Sequence, residues 1–300
     1  MTRFQPLCAM FIAVLGGTLA NAQLSIGPPR NVGEPINTPS IEVGPNLSAD
    51  GLTLYFVSDR PGGYSGTAEL WMSTRATTRD PWQTVANVGP PVNSHSAASP
   101  SISADGLELF FDNGLRVRPG GQGGGDVWFA QRATTASNWN EPQNLGPVVN
   151  SSFNDGVPKL SRDGLTLFFS SDRPGGSGGR DIWVTSRASR AEPWTAPVNL
   201  GAAVNGPGSD WCPAISPDAL LLIFQSDRPG GFGGDDFWMS TRVSSSATWT
   251  AAVHLGPEIN TPADEAKAEF SLDGRTVLFA SSRPGGHGAL DIWEVPILVR

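Results

Sequence analysis

From Leu52 onward the chain alternates short apolar runs with polar, glycine-rich stretches. Five runs of β-forming residues stand out: LTLYF from Leu52, LELFF from Leu107, LTLFF from Leu165, LLLIF from Leu220 and TVLFA from Thr276. An aspartate precedes each run: Asp50, Asp105, Asp163 and Asp273 are followed by glycine, and Asp218 by Ala219. A short apolar segment comes before that pair, as in PSIS from Pro100 and PAIS from Pro213. Asp-Gly between two such runs predicts a hairpin, because glycine tolerates a positive φ. A third strand is predicted around an acid-x-Trp triplet, at Glu69, Asp126, Asp181, Asp236 and Asp291. A fourth begins at a second tryptophan, Trp82, Trp139, Trp194 or Trp249, and ends in Asn-Val-Gly or a variant of it. No stretch after residue 22 has helical periodicity, so each unit reads as four antiparallel strands.

The units are copies of one another. SSDRPGGSGGRDIW, from Ser170, returns as VSDRPGGYSGTAELW, QSDRPGGFGGDDFW and ASSRPGGHGALDIW, and unit two has DNGLRVRPGGQGGGDVW. The arginines before Pro-Gly-Gly, Arg60, Arg118, Arg173, Arg228 and Arg283, are spaced 58, 55, 55 and 55 residues apart. A four-stranded unit at a fixed period predicts a propeller blade, hence an all-β, five-bladed β-propeller. The last unit stops after its third strand. Asn31-Val32-Gly33 near the other end matches the close of a fourth strand (Asn87-Val88-Gly89, Asn144-Leu145-Gly146), so an N-terminal strand is expected to complete the last blade and leave no open edge.

The S-x-D-G-x-x-L-x-F pattern followed by SDRPGG-x-GG-x-DIW resembles the WD40-like propeller repeat of TolB-type bacterial envelope proteins, over essentially all of the chain after residue 22. Unit two departs from it, with NGLRV where the others carry Ser-Asp. The resemblance implies the fold strongly and the function weakly: such propellers include periplasmic scaffolds, peptidoglycan-associated proteins, domains appended to peptidases and some polysaccharide lyases.

Composition narrows the partners. The 300 residues carry a net charge of −8 and only two lysines, Lys159 and Lys267, which argues against nucleic acid or an anionic membrane surface. Gly (36) and Pro (26) together make about a fifth of the chain, as a turn-rich β protein requires. Arg3, the apolar run Leu7 to Leu15 and Ala20-Asn21-Ala22 have the form of a secretory signal, so residues 1–22 are expected to be removed, leaving residues 23–300 as one propeller domain. The run is too short to span a membrane, and no other apolar run is long enough. Cys8 leaves with the signal and Cys212 remains alone, so no internal disulfide is expected. The expectation is a periplasmic or secreted monomer.

The glycine loop is followed by a strand, not a helix N-terminus, so it is not a phosphate cradle. It also lacks the carboxylate spacing of a calcium loop. It reads as a hairpin loop, and the acid of acid-x-Trp as an acceptor of backbone hydrogen bonds. Chemistry concentrates elsewhere. Eight residues before each turn aspartate stand Glu42, Ala97, Asp155, Asp210 and Glu265, four acids predicted to gather at one mouth of the central channel. Either they pair with the RPGG arginines, Arg173 and Arg228 among them, or they face the cavity to bind a cation or sugar or to act as acid and base. Trp211, directly after Asp210, has no counterpart in the other units and is the candidate for asymmetric recognition. Lys267, His95, Phe153 and Glu269 are expected near its level. No histidine pair has metal spacing, no G-x-S-x-G occurs, and Cys212 reads as a small buried residue.

These features favour a non-catalytic binding or scaffolding module for envelope proteins, peptidoglycan or other glycans. Candidate ligand-binding residues are Trp211, Asp210, Asp155, Glu265, Glu42, Arg173, Arg228 and Lys267. No cofactor is expected, with calcium the one candidate. The alternative is a polysaccharide hydrolase or lyase using Asp210, Asp155, Glu265 and Glu42.

Overall fold

The computed structural model describes residues 24–299 apart from Leu115 and Val117. The expected signal segment lies outside the described residues. The chain forms five antiparallel sheets arranged as the blades of a propeller. Blade 1 runs outward from the axis through Glu42–Leu47, Thr53–Ser58, Glu69–Thr74 and Ala86–Asn87. Blades 2, 3 and 4 repeat this order over residues 98–144, 155–199 and 210–254.

Blade 5 takes its inner three strands from Glu265–Phe270, Thr276–Ser281 and Asp291–Val299. Its outer edge is filled by the other end of the chain in two pieces. Arg30–Asn31 pairs antiparallel with Trp293 and Glu294, and Leu24–Ile26 pairs with Ile297 to Val299. The expected closure is therefore present, and the long Asp291–Val299 strand extends it.

Each blade buries one sheet face against the next, giving five separate cores. Leu109, Phe111 and Trp128 of blade 2 pack on Val57 and Leu70 of blade 1. Phe237 and Met239 of blade 4 pack on Phe279 and Trp293 of blade 5. Phe237 and Phe279 meet edge to face, with centroids 5.9 Å apart. Alternation along the strands explains this: Leu109 and Phe111 face blade 1, while Phe110 between them faces blade 3.

The turns are held by side chains. Ser48 Oγ donates to Asp50 Oδ1 and accepts from Thr53 N–H, and Leu52 N–H donates to the same aspartate oxygen. The pattern recurs at Ser161 and Asp163, Ser216 and Asp218, and Ser271 and Asp273. A second arginine, four residues after the third-strand tryptophan, caps this turn. Arg75, Arg132, Arg187 and Arg242 donate from Nε to Gly51, Gly106, Gly164 and Ala219 carbonyls. Each lies over the second tryptophan of its unit at 4.2 to 4.5 Å, and that tryptophan stands four residues before the short fourth strand rather than at its start as expected.

The glycine loop is a structural turn. The first glycine of Pro-Gly-Gly has a positive φ, as in Gly175 at 99°. The second leaves room for the acid of the next strand: a Cβ on Gly176 would collide with Asp181 Oδ2. That acid accepts the loop's backbone N–H groups, Ser177 to Asp181 at 2.7 Å and Phe232 to Asp236 at 2.9 Å.

Removing residues 24–31 is expected to expose the edge of Asp291–Val299 and to give aggregation or a large fall in melting temperature. A truncated protein that stays monomeric with an unchanged midpoint would refute this account of closure.

A second expectation concerns acid. The Ser271 hydroxyl and the Arg275 N–H hold the Asp273 carboxyl below its ordinary pKa of 3.8. A depressed carboxyl contributes stability that is present above the ordinary value and lost as pH falls through the folded one. Asp273→Asn should therefore lower the melting temperature near neutral pH and narrow the difference between about pH 7 and about pH 3. An unchanged difference would remove this turn from the acid sensitivity.

Candidate functional site

The innermost strand of every blade carries the same irregularity. Counted from the ring position (Glu42, Ala97, Asp155, Asp210 or Glu265), its register shifts between the second and fifth residues, as from Val43 to Asn46 and from Trp211 to Ala214. The third residue is left-handed in all five: Gly44, Ser99, Val157, Cys212 and Lys267, with φ between 50° and 64°. Four of these are followed by proline. Such a bulge bends the strand and re-aims side chains at the axis.

The four ring acids are the first residues of their strands, and of the two arrangements open to them the structure has the pairing with the RPGG arginines. Glu42, Asp155, Asp210 and Glu265 are all fully buried, each paired with the RPGG arginine of its own blade. Arg60 lies 3.0 Å from Glu42, Arg173 2.5 Å from Asp155 and Arg283 3.1 Å from Glu265, and Arg228 bonds Asp210. The other carboxylate oxygen takes a backbone N–H: Thr38 to Glu42 and Thr261 to Glu265 at 2.8 Å, Ser151 to Asp155 and Gly206 to Asp210 at 2.5 Å. Each arginine also lies over two rings, Phe169 and Trp183 for Arg173 at 5.1 and 5.3 Å. The loop arginine folds over the acid because a desolvated carboxylate needs a countercharge, and its own loop carries a cation within reach.

Asp210 and Trp211 consequently part company. Successive residues of an extended strand point to opposite sides, so Asp210 turns into its blade while Trp211 faces the channel. Trp211 is half-buried and lines a cavity of about 180 Å³ at the mouth. Its companions there include Asp112, Arg180 and Lys267, of which only Lys267 was expected. Asp155 forms part of the same wall, but its carboxylate is engaged by Arg173. Phe153 and His95 are exposed and outside the cavity lining. Glu269 lies further along the channel, where it pairs with Lys159 and accepts from Asn46 Nδ2 at 3.1 Å. Burial raises the Glu269 carboxyl above its usual range, with Lys159 opposing.

Differences between blades build the cavity. At the second inner-strand position the residues are Val43, Ala98, Gly156, Trp211 and Ala266. Gly156 makes room for Asp112: a Cβ there would lie 3.3 Å from Asp112 Oδ2. Asp112 is held by two backbone donors, Gly114 N–H to Oδ1 and Val157 N–H to Oδ2, both at 2.8 Å. Arg180 precedes the acid of acid-x-Trp, where the other blades have Ala68, Gly125, Asp235 and Leu290. Its carbonyl accepts from Asp210 N–H at 2.7 Å, and its guanidinium sits 5.2 Å from the Trp211 ring centroid. Burial raises the Asp235 carboxyl, with the neighbouring Trp211 indole acting against it, although the indole N–H makes no hydrogen bond of good geometry.

Lys267 reaches the cavity from blade 5. Its stem crosses Gly44, whose missing Cβ would lie 3.3 Å from Lys267 Cδ, and its Nζ donates to Ser99 Oγ of blade 2 at 2.8 Å. Cys212, beside it in the ring, is buried with its thiol pushed up to about 12 by desolvation. Among the described residues no cluster of three or more His, Cys, Asp or Glu could hold a metal ion. No helix among them is long and apolar enough to cross a membrane.

The signal that marks this site in the sequence is departure from the repeat. It picks out Trp211. Asp112 and Arg180 depart from it equally, but only the fold shows that positions in blades 2, 3 and 4 share one cavity.

The molecule is an all-β, five-bladed propeller with an asymmetric cavity at one mouth. No family model matches the chain, and no curated protein matches it. Solved structures do. TolB from Acinetobacter baumannii is 13% identical with a TM-score of 0.52, over 92% of this chain and 63% of that one. A putative TolB from Agrobacterium tumefaciens is 16% identical with a TM-score of 0.52, over 94% and 99% of the two chains. An alpha-L-arabinofuranosidase from Lactobacillus brevis is 12% identical with a TM-score of 0.57, over 88% and 92%. This chain thus spans less than two thirds of the Acinetobacter protein. At these identities the likeness is one of fold.

Blade 2 supplies an internal control for the ion pairs. Ala97 replaces the ring acid, and Arg118 keeps its place over Phe111 and Trp128 at 5.2 Å with Val92 and Pro91 carbonyls as acceptors. Arg173→Ala strands a buried carboxylate and should destabilise by about 3 kcal/mol. Arg118→Ala strands none and should cost roughly 1 kcal/mol, mostly from lost carbonyl bonds. Urea denaturation compares the two, and equal losses would show that the acid contributes nothing beyond packing.

Proposed function

We propose that this protein is an exported, non-catalytic binding module that takes the end of a glycan chain at the mouth of its central channel. The observation that carries the reading is the cavity's content. Trp211 presents an indole in a position where no other blade has an aromatic residue, beside Arg180 and Lys267, which make no ion pair among the described residues. A flat apolar face ringed by hydrogen-bonding groups suits a sugar ring, and one such contact is worth roughly 1 to 3 kcal/mol. Export is supported by the signal-like residues 1–22.

Catalysis by the ring acids finds no support. Glu42, Asp155, Asp210 and Glu265 are each held by an arginine and buried, so none is placed to protonate a leaving group or attack a sugar carbon. The arabinofuranosidase likeness adds nothing to a hydrolase reading, being one of fold.

A glycan array probed with the protein tests the proposal. Binding to a defined set of glycans is expected, with Trp211→Ala lowering affinity about tenfold while the melting temperature stays within a few degrees. Loss of the fold in Trp211→Ala, or release of sugar from a bound glycan by the wild type, would overturn the reading.

A further inference from the structure

The two lysines of the chain both reach into the central channel, and their fates differ. Lys159 is neutralised by Glu269. Lys267 has no acidic partner among the described residues, and its one side-chain hydrogen bond goes to the neutral Ser99 hydroxyl. Arg180, on the far wall of the same cavity, likewise makes no ion pair and no side-chain hydrogen bond among the described residues, in contrast to the five RPGG arginines, all of which are bonded. A protein of net charge −8 thus holds two uncompensated cations in one small cavity. Each is half-buried without a counterion, which carries a desolvation cost that a bound anion would relieve. Their one acidic companion in the lining with no cation of its own is Asp112, which is buried, and both of its oxygens already accept backbone N–H groups.

We infer that the cavity reads the carboxylate of an acidic sugar, a hexuronate at the end of a glycan chain. The inference rests on the glycan-binding reading of the same cavity and adds the ligand's charge. Lys267 and Arg180 supply the countercharges for the carboxylate. The remaining lone pairs of Asp112, with the Asn154 amide and the Ser99 hydroxyl in the same lining, suit ring hydroxyls. The Trp211 indole bears on the ring, with Arg180 stacked on it at 5.2 Å so that the guanidinium and the aromatic face act as one surface. A neutral sugar would cover both cations without pairing them, a free-energy penalty that discriminates against it. The volume of about 180 Å³ admits a single ring, so the terminal unit is the one recognised.

Isothermal titration calorimetry tests this with a trimer of galacturonate or glucuronate, the same trimers with their carboxyl groups reduced to alcohols, and a short peptide ending in a free carboxylate. One acid trimer should bind at least about tenfold more tightly than its reduced form, and its affinity should fall as salt is raised. Lys267→Met and Arg180→Gln should each remove that preference and the salt dependence, and Trp211→Ala should weaken both forms alike. Two separate cation variants keep the test sound if one of them fails to fold. Equal binding of acid and reduced trimers would overturn the hexuronate inference and leave the glycan-binding proposal standing. Binding of the peptide but of no trimer would overturn both, as would binding of none of the three probes.

Discussion

An arginine in each blade, buried or part-buried, lies across two aromatic rings and, in four blades of five, holds the carboxylate that starts the inner strand. The position of that strand, and so the shape of the channel, depends on this contact. The arginine arrives on the glycine loop between the second and third strands, and its guanidinium also bonds a carbonyl of the segment leading into its blade, as Arg173 does with Val149. One side chain therefore ties together the loop, the connection from the preceding blade and the inner strand. Removing charge from either partner leaves the other desolvated, which makes the arrangement all-or-none. Blade 2 keeps the arginine and drops the acid, and its aromatic sandwich and carbonyl bonds survive.

With the four ring acids neutralised inside their blades, the channel is left to residues that break the repeat. The inner-strand bulge turns the third residue of each strand toward the axis, so what stands there decides the channel's contents: glycine in blade 1, lysine in blade 5. Lys267 bridges to Ser99, and Lys159 meets Glu269 further along, where Asn46 bonds the same carboxylate. The Lys267–Ser99 bridge belongs to the cavity lining and the Lys159–Glu269 pair lies beyond it, so the cavity has one large wall, Trp211, and one small one, Gly156. A repeat fold thereby acquires an asymmetric site, as selective binding of one ligand requires.

The repeat itself was legible in the chain. Period, strand order, the hairpin role of the glycine loop, the backbone-accepting acids and the strand exchange between the two ends all follow from patterns that recur five times, because a blade that cannot bury its faces alone must repeat. Trp211 was legible for the opposite reason, as a tryptophan without a counterpart in the other units. Asp112 and Arg180 were not. Each looks like an ordinary loop or strand-end residue, and Asp210 looked the better companion for Trp211 because it is adjacent in sequence.

What the sequence determined by itself is therefore the architecture: local alternation, turn chemistry and periodicity are properties of the chain that neighbouring residues carry without help. What the tertiary structure decided is which charges are free. An acid and an arginine 18 residues apart pair because their strands lie side by side, as Asp155 and Arg173 do. Lys267 goes unpaired among the described residues because the axis brings it to a serine from a blade 168 residues away. Whether a charged group is neutralised depends on distances of a few ångströms across the ring, and linear spacing does not encode them when five near-identical blades offer each group more than one partner.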